Sequence, residues 1–244
     1  MSSPRTLIDH IRELRKRLFW SAIVYALIFC ILLYFYTDII AWFTKPFNAI
    51  EELRSKEKLF ITSIFEGFVT EIRFCLITAG IVSLPYHIFN FLRFIFPGLK
   101  PREKSIILYS ILASVFLSTF SFYLIYFKII PYSIRFLMSS SFIPEGVGLI
   151  LKFEQNLFYV LNFLLLSILV FHFPILLGIM LYLNIIKRKI LLNWSRFIIV
   201  GIFVISAIVT PPDFVSLLGL ALPLISLFYI TLLIAKIFRF GEKS

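Results

Sequence analysis

The sequence predicts an all-α integral membrane protein: six transmembrane helices with both termini on the cytoplasmic side. Three observations carry the prediction. Of the 244 residues, 60% are hydrophobic and 18% aromatic, and the mean hydropathy is +0.98, against about 45–50% apolar residues in soluble domains. The apolar residues gather into six stretches, most of them long enough to cross a bilayer core of about 30 Å. Lys and Arg collect at the ends of these stretches. Little chain remains for a soluble domain, so one polytopic membrane domain accounts for residues 1–244.

The first span, 18–37, follows basic residues that run to Arg17 and ends at Thr37-Asp38. Its apolar stretch lasts about twenty residues and is followed by no small-x-small cleavage pattern, so it reads as a retained helix, not a secretory signal. Spans 69–92, 105–127 and 156–183 each reach the length that a helical crossing needs. Span 190–210 is marginal. Only 197–210 lies between Arg196 and Pro211, and about 14 residues at 1.5 Å rise cover about 21 Å. Such a helix thins the bilayer locally or takes a partner beside it. The sixth span, 214–235, follows a minimal turn at 211–213. The long loops 38–68 and 128–155, with Trp42, Phe43, Pro46, Phe47, Tyr132 and Pro144, predict interfacial helices and caps.

Charge sets the orientation. The segments 1–17, 93–104, 184–196 and 236–244 hold 16 of the 24 bases and 4 of the 13 acids, a balance of +12 that leaves −1 for the rest of the chain. Basic loops stay in the cytoplasm. The same distribution accounts for the net charge of +11 without nucleic acid, since no aromatic-interleaved basic domain exists. Cys30 and Cys75 lie in apolar runs and read as small buried hydrophobes. Three scattered histidines form no cluster, and no metal or cofactor site is expected. No Gly-rich phosphate loop, HExxH, or nucleophile beside a base occurs, so the chain is not read as an enzyme. No internal repeat supports an inverted-repeat transporter.

Polar residues inside this apolar frame are the candidates for function. Pro85, Pro174 and Pro223 fall within spans and are expected to kink them. His172 lies mid-span, two residues before Pro174. It either bonds a carbonyl freed by the proline or faces a concave, partly hydrated surface as a polar contact. Glu66 and Arg73, seven apart on one helix face, predict an ion pair at the outer end of span two. Glu13, in His10-Ile-Arg-Glu-Leu-Arg-Lys-Arg-Leu18, and Glu103, in Lys100-Pro-Arg-Glu-Lys104, are acids inside basic patches. Orientation needs only the bases there. The acids therefore read either as local helix partners, Glu13 with Arg17 at i,i+4, or as receivers of a cationic ligand.

The combination resembles a known family. His10–Leu18 is similar to the N-terminal H-x-x-E-L-R-x-R-L of TatC, and Phe94-Ile-Phe-Pro-Gly-Leu-Lys-Pro-Arg-Glu103 to its first cytoplasmic loop, F-x-x-P-G-L-x-x-x-E. Glu66-Gly-Phe68 with Arg73 resembles the E-x-F-x-x-x-x-K/R that enters span two. Thr210-Pro-Pro-Asp213 resembles the turn between the last two spans. The matches come in family order over nearly the whole chain.

The resemblance implies a glove-shaped, six-helix receptor of the bacterial cytoplasmic membrane. It would bind the twin-arginine signal peptides of folded cargo and assemble with the single-span proteins TatA and TatB in a homo- or hetero-oligomer. By carry-over, Glu13 and Glu103 face the paired arginines and Arg15 and Phe94 shape that surface. Pro46, Phe68, Thr210, Pro211, Pro212 and Asp213 have docking or structural roles. One departure stands out: many members carry Glu in an F-E-x-P of span four, where this chain reads Phe171-His-Phe-Pro174. The proline that usually precedes the span-two Glu is also absent. A small-solute secondary transporter with His172 in its pathway is the alternative.

Overall fold

The computed structural model describes residues 7–47, 59–95, 104–138 and 150–241. Among them the chain is almost wholly helical: α1 (Leu7–Tyr34), α2 (Tyr36–Phe43), α3 (Ile64–Ile95), α4 (Lys104–Leu124), α5 (Ile130–Leu137), α6 (Phe153–Phe171), α7 (Phe173–Tyr182), α8 (Arg188–Asn193), α9 (Ser195–Val209) and α10 (Phe214–Ile237). Lipid offers a backbone no hydrogen-bond partner, so apolar segments must satisfy their own peptide groups, and the helix does so within one segment. Five segments, Ile11–Tyr34, Ile64–Phe91, Leu108–Leu137, Phe153–Tyr182 and Phe214–Ile237, are long and apolar enough to cross a membrane. The shorter apolar α9 has 15 residues, a rise of about 22 Å.

The helices alternate in direction. Asn90 Nδ2 donates to Ser21 Oγ at 3.0 Å, which sets the end of α3 beside the start of α1. At the opposite end β1 (Leu59–Phe60) and β2 (Leu151–Lys152) pair in parallel, Leu59 opposite Leu151, and bring the starts of α3 and α6 together. The expectation of helices and caps in the outer loops missed this strand pair, because its partners are distant in sequence. The chain after α10 folds back onto the segment between α7 and α8: Gly241 N–H donates to Asn184 Oδ1 at 3.1 Å, and Arg188 N–H donates to the Gly241 carbonyl at 3.3 Å. Gly241 has φ +70°, and a Cβ there would stand 3.0 Å from the Arg188 nitrogen, so the clamp needs glycine. The start of α1 and the end of α10 therefore lie at one end of the bundle, with Arg93, Arg188 and Lys236: the basic end.

α6 forms the core. Val160, Leu161, Leu164, Ile168 and Phe171 are at most 1% exposed, and the helix packs on α3 and α4. α1 packs on α3 and turns Leu18, Phe19, Leu27 and Ile31 outward, as a lipid-facing helix does. α3 and α10 continue as helices through Pro85 and Pro223. Nearby hydroxyls add bonds there, Ser83 Oγ to Ala79 O at 2.6 Å and Ser226 Oγ to Pro223 O at 2.7 Å. The fourth span does break, at His172 between α6 and α7. α4 continues through a π turn at Ile125–Ile129 into α5. The extra residue of that turn lies just before Pro131, whose missing N–H already interrupts the ladder. Trp42 stacks on Tyr126 with ring centroids 4.3 Å apart, and the Tyr126 hydroxyl donates to the Trp42 carbonyl; this fastens the short α2 to the π turn. Pro46 and Phe47 are buried in the 3₁₀ turn that follows.

Candidate functional site

At the basic end, Glu13 and Arg17 sit one turn apart on α1. Arg17 Nε donates to Glu13 Oε1 at 3.1 Å, and Nη2 of the same guanidinium also pairs with it. The Glu13 side chain is 27% exposed and that of Arg17 16%. An i,i+4 pair in such a setting contributes a few tenths of a kcal/mol, so it holds the carboxylate in place without locking it. Arg15 is exposed on the same helix, and Phe94 is half-buried in the last turn of α3. Phe94 lies one turn past Asn90, and Arg17 one turn before Ser21, so the Asn90–Ser21 bond places both helix ends at one surface. Glu103 lies outside the described residues.

Mid-span, His172 is 4% exposed. Its backbone N–H turns to the Leu169 carbonyl at 3.1 Å, which leaves the Ile168 carbonyl without its usual i+4 donor. Nδ1 of the same residue lies 2.6 Å from that carbonyl. A carbonyl only accepts, so the network assigns the proton to Nδ1. Nε2 then accepts from Ser114 Oγ at 2.9 Å and lies 3.3 Å from Ser118 Oγ. The imidazole thus repairs the helix break and joins α6 to α4. The imidazole, 4% exposed, bonds a local carbonyl, but it is that of Ile168, freed by the turn of the His172 N–H, and not that of Val170, which Pro174 deprives of its donor. Ser114 and Ser118 went unnoticed in the sequence, although Ser110, Ser114, Ser118 and Ser121 recur at helical spacing and mark a polar seam on α4.

At the far end, Asp213 caps α10. Its Oδ1 accepts from Ser216 N–H at 2.7 Å, and Oδ2 accepts from Ser216 Oγ at 2.6 Å and Ser133 Oγ at 2.7 Å. Ser133 Oγ is also 3.1 Å from the Tyr159 hydroxyl. One carboxylate, 5% exposed, thereby ties α10, α5 and α6 together. Thr210 is buried and donates from Oγ1 to the Ser206 carbonyl at 2.8 Å. Pro211 is half-buried and Pro212 exposed, completing the turn.

The expected Glu66–Arg73 pair gives way to two other contacts. Glu66 Oε2 accepts from the Thr62 hydroxyl at 2.8 Å and from Thr62 and Ser63 N–H, capping α3, and Oε1 accepts from Glu154 N–H at 3.4 Å. Arg73 instead pairs with Glu154 across the helices, Nη1 to Oε1 at 2.8 Å. Near a helix start the unsatisfied N–H groups are the closest donors to a carboxylate, and they outcompete a cation two turns away. Phe68 is 64% exposed, beside exposed Ile64 and Phe65. It lies on an outward apolar ridge.

A family model described as Sec-independent protein translocase protein (TatC) matches residues 9–223. Over 243 residues the chain is 30% identical to the TatC of Carboxydothermus hydrogenoformans, covering 99% of this chain and 97% of that one. Over 237 residues it is 32% identical to the TatC of Haemophilus influenzae, with 96% and 90% covered. The TatC of Escherichia coli K12 is 28% identical over 232 residues, with 95% and 88% covered. A crystal structure of the twin arginine translocase receptor TatC in the detergent DDM superposes with a TM-score of 0.78 at 27% identity, covering 92% of this chain and 98% of that one. A second crystal structure of that receptor gives a TM-score of 0.72, with 93% and 98% covered.

Proposed function

Because this chain belongs to the TatC family of Sec-independent protein translocase proteins, we propose that it is the receptor that takes twin-arginine signal peptides at its basic end. It is a multi-span membrane protein and a non-enzymatic transport subunit. In this reading the basic end faces the cytoplasm of a bacterium, as bases flanking apolar spans require, and residues 1–244 act as one membrane domain.

The observation that carries the reading is Glu13: a partly exposed carboxylate held by a neighbouring guanidinium, within the motif that the resemblance assigns to arginine recognition. An incoming arginine offers the same two-pronged donor that Arg17 already supplies. The exchange keeps Glu13 paired and releases Arg17 toward solvent, so the site gains one positive charge per arginine bound. A single exposed pair is weak. Two adjacent arginines engaging Glu13 and Glu103 together gain from effective concentration, since the second contact is intramolecular once the first has formed. Arg15 and Phe94 border the surface, and positive charge around it favours anionic head groups.

TatA and TatB are the single-span partners in this reading, and α9 is their docking edge. Its exposed residues Phe197, Val200, Val204 and Ile208 share one helical face, on a helix too short to match the bilayer alone.

Crosslinking of the purified protein to an Arg-Arg signal peptide, with a Lys-Lys peptide as control, tests the receptor role. Glu13→Gln and Glu103→Gln are each expected to lower Arg-Arg capture about tenfold, the equivalent of one charge-assisted hydrogen bond of about 1.5 kcal/mol. The double variant is expected to be less than additive. Equal capture of both peptides, or unchanged capture by Glu103→Lys, would reject the assignment.

A further inference from the structure

Between His10 and Leu18 the chain carries four bases, Arg12, Arg15, Lys16 and Arg17. The first three are exposed, whereas Arg17 turns inward and its side chain is 16% exposed. Orientation in the membrane needs bases at the head-group level, and the three exposed ones supply them. Helix geometry accounts for the fourth. Arg17 follows Glu13 by four residues, the spacing and order in which an acid and a base on one helix meet best. Arg15 is two residues on, about 200° round the helix. Arg17 also lies one turn before Ser21, which Asn90 of α3 holds at 3.0 Å. The Glu13–Arg17 pair therefore shares the face of α1 that packs on α3.

Nε and Nη2 of Arg17 both engage Oε1 of Glu13. The acid is thus already filled by a guanidinium, the group that an arginine ligand would bring to it. Such a ligand meets Glu13 only in the fraction of molecules in which Arg17 has let go, and its apparent affinity falls by that fraction. At the strength usual for an i,i+4 pair, the contact is made about 70% of the time, which weakens binding about threefold. The same arginine retakes the acid whenever a bound ligand loosens, at the high effective concentration of a tethered group, and so shortens the life of the complex.

We infer that Arg17 is a built-in competitor for Glu13: it takes the place of the ligand's arginine, weakens binding and eases release. The role rests on the receptor reading of Glu13. It sets two neighbours in one motif against each other. A base that only held the acid in position would strengthen binding, and its loss would weaken it.

The test is a fluorescence-anisotropy titration of the full-length protein in detergent, at about 150 mM salt, with a labelled Arg-Arg signal peptide and its Lys-Lys counterpart. Arg17→Gln is expected to bind both peptides about threefold more tightly than wild type, because freeing the acid helps any cation that reaches it. The gain is expected as slower dissociation. Lys16→Gln removes the same charge from an exposed neighbour and is expected to change affinity less than about 1.5-fold. In a Glu13→Gln background, Arg17→Gln is expected to gain no more than Lys16→Gln does, since no acid is left to free. Arg17→Met, which keeps a long stem without the charge, replaces Arg17→Gln if that variant loses its helical circular dichroism. Unchanged or weaker Arg-Arg binding by Arg17→Gln, a gain no larger than that of Lys16→Gln, or an equal gain without Glu13 would overturn the competitor and leave the receptor reading in place. A wild type that binds the two peptides equally would end the receptor reading and the competitor with it.

Discussion

Replacing Asp213 by Ala removes the cap of α10 and the acceptor of two serine hydroxyls in one step. The lost N-cap costs about 1 kcal/mol. Each of the two hydroxyl bonds to the charged oxygen contributes about 1.5 kcal/mol at the low end for charged acceptors, a gross loss of about 4 kcal/mol. Some of it is recovered, because Ser133 Oγ keeps its contact with the Tyr159 hydroxyl at 3.1 Å and Ser216 Oγ keeps the Asp213 carbonyl at 3.3 Å. The expected net loss is about 3 kcal/mol, or about 6–12 °C in Tm at the 2–4 °C per kcal/mol of a chain this size. Asp213→Asn retains a carbonyl oxygen for the cap but puts an NH2 group where Oδ2 accepts two hydroxyls, and is expected to lose about 2 kcal/mol. The assay is thermal unfolding of the purified protein in detergent at one scan rate, since membrane proteins often unfold irreversibly. The double variant Asp213→Ala/Ser133→Ala is expected to show a coupling of about 1.5 kcal/mol, because both changes delete one bond. Neutral hydrogen bonds between membrane helices average only about 0.6 kcal/mol, so a value this large depends on the charge. An Asp213→Ala shift under 2 °C, or strict additivity with Ser133→Ala, would refute the three-helix tie.

Three further outcomes are expected. His172→Leu leaves the Ile168 carbonyl and the Ser114 hydroxyl without their partner and should lower stability by about 2 kcal/mol; a His172→Leu protein with wild-type Tm would dismiss the structural role, and lost export at full stability would restore the functional one. Arg73→Ala breaks a pair whose side chains are 58% and 29% exposed and should cost less than about 1 kcal/mol, whereas Glu66→Ala should speed hydrogen exchange at the Thr62 and Ser63 amides, measured by mass spectrometry; equal exchange in both variants counts against Glu66 as the cap. Single cysteines on α9 should crosslink to a single-span partner from Phe197, Val200, Val204 and Ile208 and not from buried Ile202 and Ser206, and uniform or absent crosslinking would remove α9 as the docking edge.

What was legible in the sequence was whatever depends on a residue and its close neighbours. Solvation by lipid is such a property: the apolar stretches ending near Tyr34, Ile95, Tyr182 and Ile237 announce helices because each must satisfy its own backbone wherever the others lie. The basic patches are local in the same sense, and so is the i,i+4 spacing of Glu13 and Arg17, which the structure pairs. Asp213 stood in the sequence only as the end of the Thr210-Pro-Pro-Asp213 turn; its capping of α10 and its bond to Ser133 appear with the structure. What only the tertiary structure decided was the choice of partner among equally plausible donors and acceptors. Arg73 had Glu66 on its own helix face, yet it takes Glu154, distant in the chain, because Glu66 is closer to the free N–H groups of its own helix start. His172 had two roles open to it, and its neighbours Ser114 and Ser118 come from α4, which reaches it only through packing. The pocket of about 690 Å³ that begins at Pro174, lined by Leu117, Gly178 and Thr231, belongs to no single helix. It exists because the break turns α7 from α4 toward α10, and hydropathy, which sees one segment at a time, carries no record of the space between three.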